Sequence, residues 1–310
     1  MICKRSFSKK TSSDRVIAVI ARDRVSGKPR SSWDLACSLR PTTGVSEIIR
    51  MTQITRSPDH RITRSRKDVL HYYRALLARW GPQNWWPAQS RFEVIVGAYL
   101  TQNTAWTNVE KAIAQLRREH VLSLKGIREI PLRKLQTLVR SSGYFRQKAC
   151  NLKTFITFLD TKYGGSLDRM FAQPTEKLRA ELLALKGVGP ETADSILLYA
   201  GNHPVFVVDA YTRRILERHG LIGPKTKYEE IRLRIEQAIS GAEARPFRIL
   251  QAGTEPRHPV SRMSRGKRTE RAQHYNEFHS LIVRVGNQYC RSKPKCEECP
   301  LQSFLPNPSA

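Results

Sequence analysis

The chain has 310 residues, and 54 Lys and Arg against 27 Asp and Glu leave a formal net charge of +27 at pH 7. Hydrophobic residues make up 40% of it, enough to bury a sizeable core in one large domain or two medium ones. A pI near 10.4 points to a polyanionic partner, because a charge this large repels itself unless something offsets it, and the absence of any long apolar run excludes a membrane-spanning helix.

The first 70 residues hold 16 Lys and Arg against 6 Asp and Glu. Stretches such as "SKKTSSDR" and "RSPDHRITRSRK" lack periodicity and predict a basic, disordered extension over 1–66. That extension reads equally as a DNA-tethering arm, a transit-like leader, or residues upstream of a start at Met51. From 67 the pattern turns helical, with Val69, Tyr73, Leu76 and Trp80 at helical spacing and Gly81 as a stop. "SRFEVIVGAYL" (90–100) reads as a buried helix capped by Ser90, and 108–118, 131–140 and 146–165 read as further helices. Helix, hairpin and helix follow over 175–201, then 210–220, 227–239 and 275–290. Residues 241–271, Gly/Pro-rich with 8 basic against 3 acidic groups, predict a flexible basic insertion. A core over 67–240, a last core helix over 272–290 and a Cys-containing loop over 290–310 complete the plan. The fold class expected is all-α, two helical lobes around a cleft.

Chemistry concentrates in "LKGVGPETADSILLYAGNHPVFVVD" (185–209). Gly187 and Gly189 permit unusual backbone angles and leave the amides of 187–189 open. With Lys186 beside them and a helix starting at Pro190, they form an anion site suited to a DNA phosphate. Leu182, Leu185, Val188, Ala193 and Ile196 stand at the packing positions of a helix-hairpin-helix. Asp209 sits where a helix N-cap belongs, and a cap alone would be worth about 1 kcal/mol. Placed after the hairpin, its carboxylate can also face an extruded sugar, where an anion stabilises a sugar cation or activates water.

These residues resemble the helix-hairpin-helix-GPD (endonuclease III) superfamily of base-excision DNA glycosylases, over about 67–240 and 272–300. The resemblance implies the two-lobed fold, a damaged base flipped into the cleft, and Asp209 as the catalytic carboxylate. Bifunctional members carry a lysine two residues after the second hairpin glycine, and here that place is Glu191, which cannot form an imine. "WWP" and "LTQNT" resemble the 3-methyladenine glycosylase branch. That resemblance implies a base pocket of Trp85, Trp86, Pro87 and Trp106, whose rings suit a cationic alkylated purine, although each tryptophan reads equally as core. Gln102 matches the residue that fills the gap left by the flipped base, and the DNA-facing set is Gln102, Lys186, Gly187, Val188, Gly189, Glu191 and Thr192.

Three of the six cysteines crowd at Cys290, Cys296 and Cys299, which speaks against a secreted disulfide scaffold and for an intracellular protein. The superfamily's iron–sulfur loop has four cysteines. Here the first gap is one residue short and the fourth is missing, so a [4Fe–4S] cluster, zinc and a metal-free loop all stay open. Lys293 and Lys295 suit phosphates in each case, and His279 reads first as a core histidine, with a place facing the cleft as the alternative. The function expected is a monofunctional DNA glycosylase acting on alkylated purines, needing no cofactor for its chemistry. It would be monomeric, would bind double-stranded DNA and no membrane, and would lie in the cytoplasm at the nucleoid, with organellar or nuclear placement open. The alternatives are an endonuclease III-like glycosylase and lyase on oxidised pyrimidines, and a non-catalytic DNA-binding protein.

Overall fold

The computed structural model describes residues 60–240 and 258–306, which form helices and turns with no strand among the described residues. The readings on 1–59 and 241–257 lie outside that range. Helix α1 runs His60–Trp80, so the extension boundary expected at 66 falls inside a helix. It stops at Gly81, whose φ of 65° is a left-handed conformation that a β-carbon would strain. Helix α2 (Arg91–Thr101) starts as expected at Ser90, whose hydroxyl accepts from the Glu93 amide at 3.1 Å. Every residue from Phe92 to Leu100 is buried, which is why the segment is apolar on all sides.

Then come α3 (Trp106–Arg118), α4 (Leu124–Glu129), α5 (Leu132–Leu138), α6 (Phe145–Tyr163), α7 (Leu167–Phe171), α8 (Thr175–Leu183) and α9 (Pro190–Ser195). Helices α10 (Ala210–Arg218), α11 (Tyr228–Ser240) and α12 (Glu270–Gln288) complete the set. Helices α4 and α7, of six and five residues, are too short for a helical period to show in the sequence.

Packing sorts these helices into two lobes. One is built from α2 to α9, with α2 and α6 at its centre; the other gathers α1, α10, α11 and α12. The lobes meet at Ile196–Ala200, a π-helical turn that continues α9 and lies against both α2 and α12. Such turns recur at functional sites.

Three arrangements fix this junction. Asp194, fully buried, accepts from Arg179 Nε at 2.6 Å and Nη2 at 3.1 Å, and from the Tyr228 hydroxyl at 2.9 Å. Arg179 also donates to Glu229 at 2.6 Å, and Arg232 to Glu229 and Glu236, so one ionic network ties α8 and α9 to α11. The second is the buried extended run Val205–Val208. Its amides find side chains instead of a strand: Phe206 N donates to Glu236 Oε1 at 2.8 Å, and Val208 N to the Tyr228 hydroxyl at 3.2 Å. Each such amide left unpaired would cost about 1–3 kcal/mol, so these bonds pin the backbone that delivers Asp209. The third is the crossing of α10 and α12. A β-carbon added at Gly286 would lie 2.2 Å from Tyr211 Cδ1, and the Tyr211 hydroxyl donates to Asn287 Oδ1 at 2.7 Å.

The span read as a flexible insertion differs from that reading over its described part. Ser261 Oγ donates to Trp86 O at 3.0 Å, Met263 N to Ala88 O at 3.2 Å, and Arg268 Nη2 to Met263 O at 2.6 Å. Its Pro, Gly and Arg content signalled a linker, whereas short polar side chains anchor it to the Trp85–Ala88 loop. Helix α12 accordingly starts at Glu270, capped by Thr269, rather than at 272.

Candidate active site

The hairpin between α8 and α9 exposes Lys186, Gly187, Gly189 and Pro190, while Leu182, Val188, Ala193 and Ile196 are buried beneath. The two glycines differ. Gly187 has a φ of 80°, and a β-carbon there would lie 2.1 Å from Asn151 Nδ2, so both conformation and space require glycine. Gly189 is extended, with φ −94°, and faces open space. The special backbone angle expected of both therefore applies to Gly187 alone. The Val188 amide is not open either, since it donates to Leu185 O at 3.1 Å within the turn. Gln102 Nε2 donates to Gly187 O at 3.0 Å and to Thr192 Oγ1 at 2.9 Å. Thr192 is buried, so it anchors Gln102 rather than presenting itself at the surface.

Beside this turn lies a feature that the sequence reading missed. Lys148, only 2% exposed, donates from Nζ to Leu100 O at 2.8 Å and to Ser142 O at 2.7 Å, drawing the end of α2 to the turn before α6. Burial pushes its pKa down to about 8. That turn presents Tyr144, 73% exposed, and the exposed Arg140 and Arg146 lie 5.7 and 5.8 Å from the neighbouring Phe145 ring. The signal in the sequence was an aromatic pair set between arginines after Gly143, at a helix start.

Asp209 is the N-cap of α10, as its position in the sequence led one to expect. Its Oδ1 accepts from Thr212 N at 2.7 Å and from Thr212 Oγ1 at 2.8 Å, while Oδ2 lies 3.7 Å from His279 Nε2. The side chain keeps 13% exposure. Burial pushes its pKa up, but His279 and the Thr212 bonds outweigh this and hold it below the ordinary carboxylate value. Glu191, on the first turn of α9, is close enough to feel Asp209. Crowding by protein, then the Asp209 charge, raises its pKa to about 7, and water on its exposed side works against the first cause. His279 Nδ1 is in a very short hydrogen bond with the Tyr199 hydroxyl of the π turn. His279 is thus buried, as expected of a core residue, but it faces the carboxylate. The sequence held no signal for this, because α12 is buried from His274 to Gly286 without a break.

The aromatic residues do gather. Trp85 and Trp86 lie 5.2 Å apart between ring centroids, Trp86 and Trp106 5.3 Å, and Trp86 and Tyr199 5.1 Å. Trp85 and Trp86 are buried, Pro87 and Trp106 half-buried, and Trp106 Nε1 donates to Glu110 at 2.8 Å. The loop carrying them is fastened to α12, where Glu277 accepts from Gln83 N at 2.9 Å and Arg284 donates to Gln83 Oε1 at 3.0 Å.

Cys290, Cys296 and Cys299 come close enough to influence one another, but they do not fit a four-thiolate cluster. Arg218 donates from Nη1 to Cys290 Sγ at 3.4 Å and to Arg291 O at 2.6 Å, placing a cation's charge inside the loop. Burial, with the neighbouring sulfurs, pushes the Cys299 thiol up. Among the described residues no three His, Cys, Asp or Glu are grouped to hold a metal. Lys293 and Lys295 are exposed. No helix among the described residues is long and apolar enough to cross a membrane.

Comparison with known proteins bears on this geometry. The profile of the HhH-GPD superfamily of base excision DNA repair proteins matches residues 96–240. A Methanocaldococcus jannaschii protein described as a candidate DNA repair glycosylase is 40% identical over 237 residues, covering 76% of this chain and 94% of its own. Endonuclease III of Bacillus subtilis is 25% identical over 214 residues, covering 69% and 80%. The crystal structure of H. pylori 3-methyladenine DNA glycosylase bound to 1,N6-ethenoadenine superposes with a TM-score of 0.59 at 29% identity, covering 72% of this chain and 97% of the other. The H. pylori structure shares the fold, and with a relative this similar along nearly its whole length, the chain belongs to the HhH-GPD superfamily of base excision DNA repair proteins.

Proposed function

We propose that the chain is a DNA glycosylase that hydrolyses the N-glycosidic bond of an alkylated purine swung out of duplex DNA and leaves the strand intact. One observation carries the reading: Glu191, near enough to feel the charge of Asp209, stands where, by the resemblance above, the strand-cleaving branch has a lysine amine. Breaking the bond leaves positive charge on the deoxyribose, and an ionised Asp209 stabilises it. Water then bonds to the anomeric carbon and passes its proton to a carboxylate. An imine with the sugar, which the lyase route needs, requires an amine that neither carboxylate supplies.

The purine preference rests on the aromatic cluster. The half-buried Trp106, gathered with Trp85 and Trp86, would offer a ring face to a cationic base. The H. pylori structure, similar over most of the chain, is titled as a 3-methyladenine glycosylase. The duplex would lie along Lys186, Gly187, Gly189 and Gln102, with Tyr144, Arg140 and Arg146 alongside.

The test incubates the protein with duplexes carrying 3-methyladenine, thymine glycol or an abasic site, scoring base release and strand scission separately. Release from the first without scission is expected. A borohydride-trapped adduct with abasic DNA would overturn the hydrolytic reading and favour endonuclease III-like chemistry.

A further inference from the structure

We infer that His279 is a positioning residue of this site, the middle link of a polar relay in which it hydrogen-bonds Tyr199 on one side and faces the free oxygen of Asp209 across 3.7 Å on the other. The inference rests on the base-release reading above and adds a residue to it.

The relay follows from donor and acceptor accounting. Tyr199 is 1% exposed, so its hydroxyl hydrogen needs an acceptor within the protein. The hydroxyl meets Trp85 and His279. Trp85 interacts with it through an indole nitrogen that only donates, by a contact looser than a fully formed hydrogen bond. The other is His279 Nδ1, which must therefore receive the Tyr199 hydrogen. A ring whose Nδ1 accepts carries its proton on Nε2. Nε2 is the atom that faces Asp209 Oδ2 at 3.7 Å, a contact longer than a hydrogen bond, and it is buried with no hydrogen-bond partner. The opposite tautomer would turn a lone pair toward a carboxylate and strand the buried tyrosine hydrogen without an acceptor.

The consequence is a division of labour within one carboxylate. Thr212 holds Oδ1 in the helix cap, and His279 Nε2–H steers Oδ2, the oxygen left to meet the sugar. Because the rings of Trp85 and Trp86 pack on that of Tyr199, a base seated against the tryptophans presses on the group that bonds His279. The titratable groups around His279 are Asp209 from α10 and Tyr199 from the π turn; Glu191 lies beyond Asp209, and Glu277 and Arg268 act on Tyr199.

Three variants of the full chain test this: His279→Phe, His279→Gln and Tyr199→Phe. Each is assayed for single-turnover base release and DNA affinity across pH 4 to 9, beside the wild type, with thermal melting as the check on folding. His279→Phe is expected to lose about 10–100-fold in release rate with DNA affinity unchanged. Its acid-side inflection should move upward, because burial then acts on Asp209 without the histidine to offset it. His279→Gln, which keeps an N–H donor, should recover part of the rate. Tyr199→Phe keeps the ring and breaks only the relay, so it decides the matter if His279→Phe does not fold. Superimposable pH profiles for wild type and either phenylalanine variant would overturn the inference, as would a loss confined to DNA affinity. Nitrogen NMR of the wild-type imidazole gives a readout independent of activity: a protonated Nε2 is expected, and a bare one refutes the relay. A wild type that releases no base while Nε2 is protonated would instead sink the proposed function.

Discussion

Two aspartates, Asp194 and Asp209, stand at the same lobe junction and are treated in opposite ways. Asp194 is sealed: a two-toothed guanidinium and a tyrosine hydroxyl occupy its oxygens, and none of it meets solvent. Asp209 has one oxygen in a cap and keeps the other turned toward His279, with 13% of its side chain exposed. A carboxylate with both oxygens bonded and no solvent contact holds helices together, whereas one with an oxygen in reserve can act on something that arrives. The contrast teaches where to look for reactivity in a protein this rich in ion pairs.

The largest effect that would break the contrast is on chemistry. Asp209→Asn keeps an excellent helix cap, so the melting temperature should hardly move while base release falls about 100–1,000-fold. DNA affinity should hold or rise, since one negative charge near phosphate is gone. Unchanged release, measured on the same lesion duplex, would show that the two aspartates do not differ in kind. Next comes Asp194→Ala, which robs the nearly buried Arg179 of its main partner. Urea titration should show a stability loss of about 3–5 kcal/mol, with release per folded molecule within a few-fold of wild type.

A smaller effect sharpens the comparison by pH. Glu191 has a folded pKa of about 7 against an ordinary 4.5, so the folded state holds an extra proton between those values. Its contribution to stability is therefore present below pH 4.5 and lost as pH rises through about 7. The release rate should climb over the same window, as a second anion forms beside the sugar and can accept water's proton. Glu191→Gln should flatten both curves, and a bend that survives in the variant would assign it to another group. Smallest of all, Cys296→Ser should leave activity and melting unchanged, whereas Arg218→Ala should cost about 1 kcal/mol through the loop it bonds. Iron–sulfur absorbance in the wild type would contradict both.

Much of this was legible in the sequence because it depends on local chemistry. Ser90, Gly81, the glycines after α6 and the hairpin each announce a boundary through backbone preference, and Asp209 declares its cap by position. What stayed hidden depends on contacts far apart in the chain. His279 and Asp209 are separated by 70 positions, and a helix buried on every side gives no clue as to which residue will face the carboxylate. Thr192 reads as a surface residue until Gln102 folds over it. The tethering of 258–269 was masked by its composition, because Pro and Gly mark turns whether or not side chains such as Ser261 and Arg268 fasten them.

The Gly286 crossing sets the gauge of the whole arrangement. Asp209 rides at the head of α10 and His279 two turns up α12, so the gap between them is governed by how closely those two rods nest, and a glycine under the Tyr211 ring is what lets them nest. One added methyl there would act as a shim, leaving every participant in place along its own helix while prising the pair out of reach.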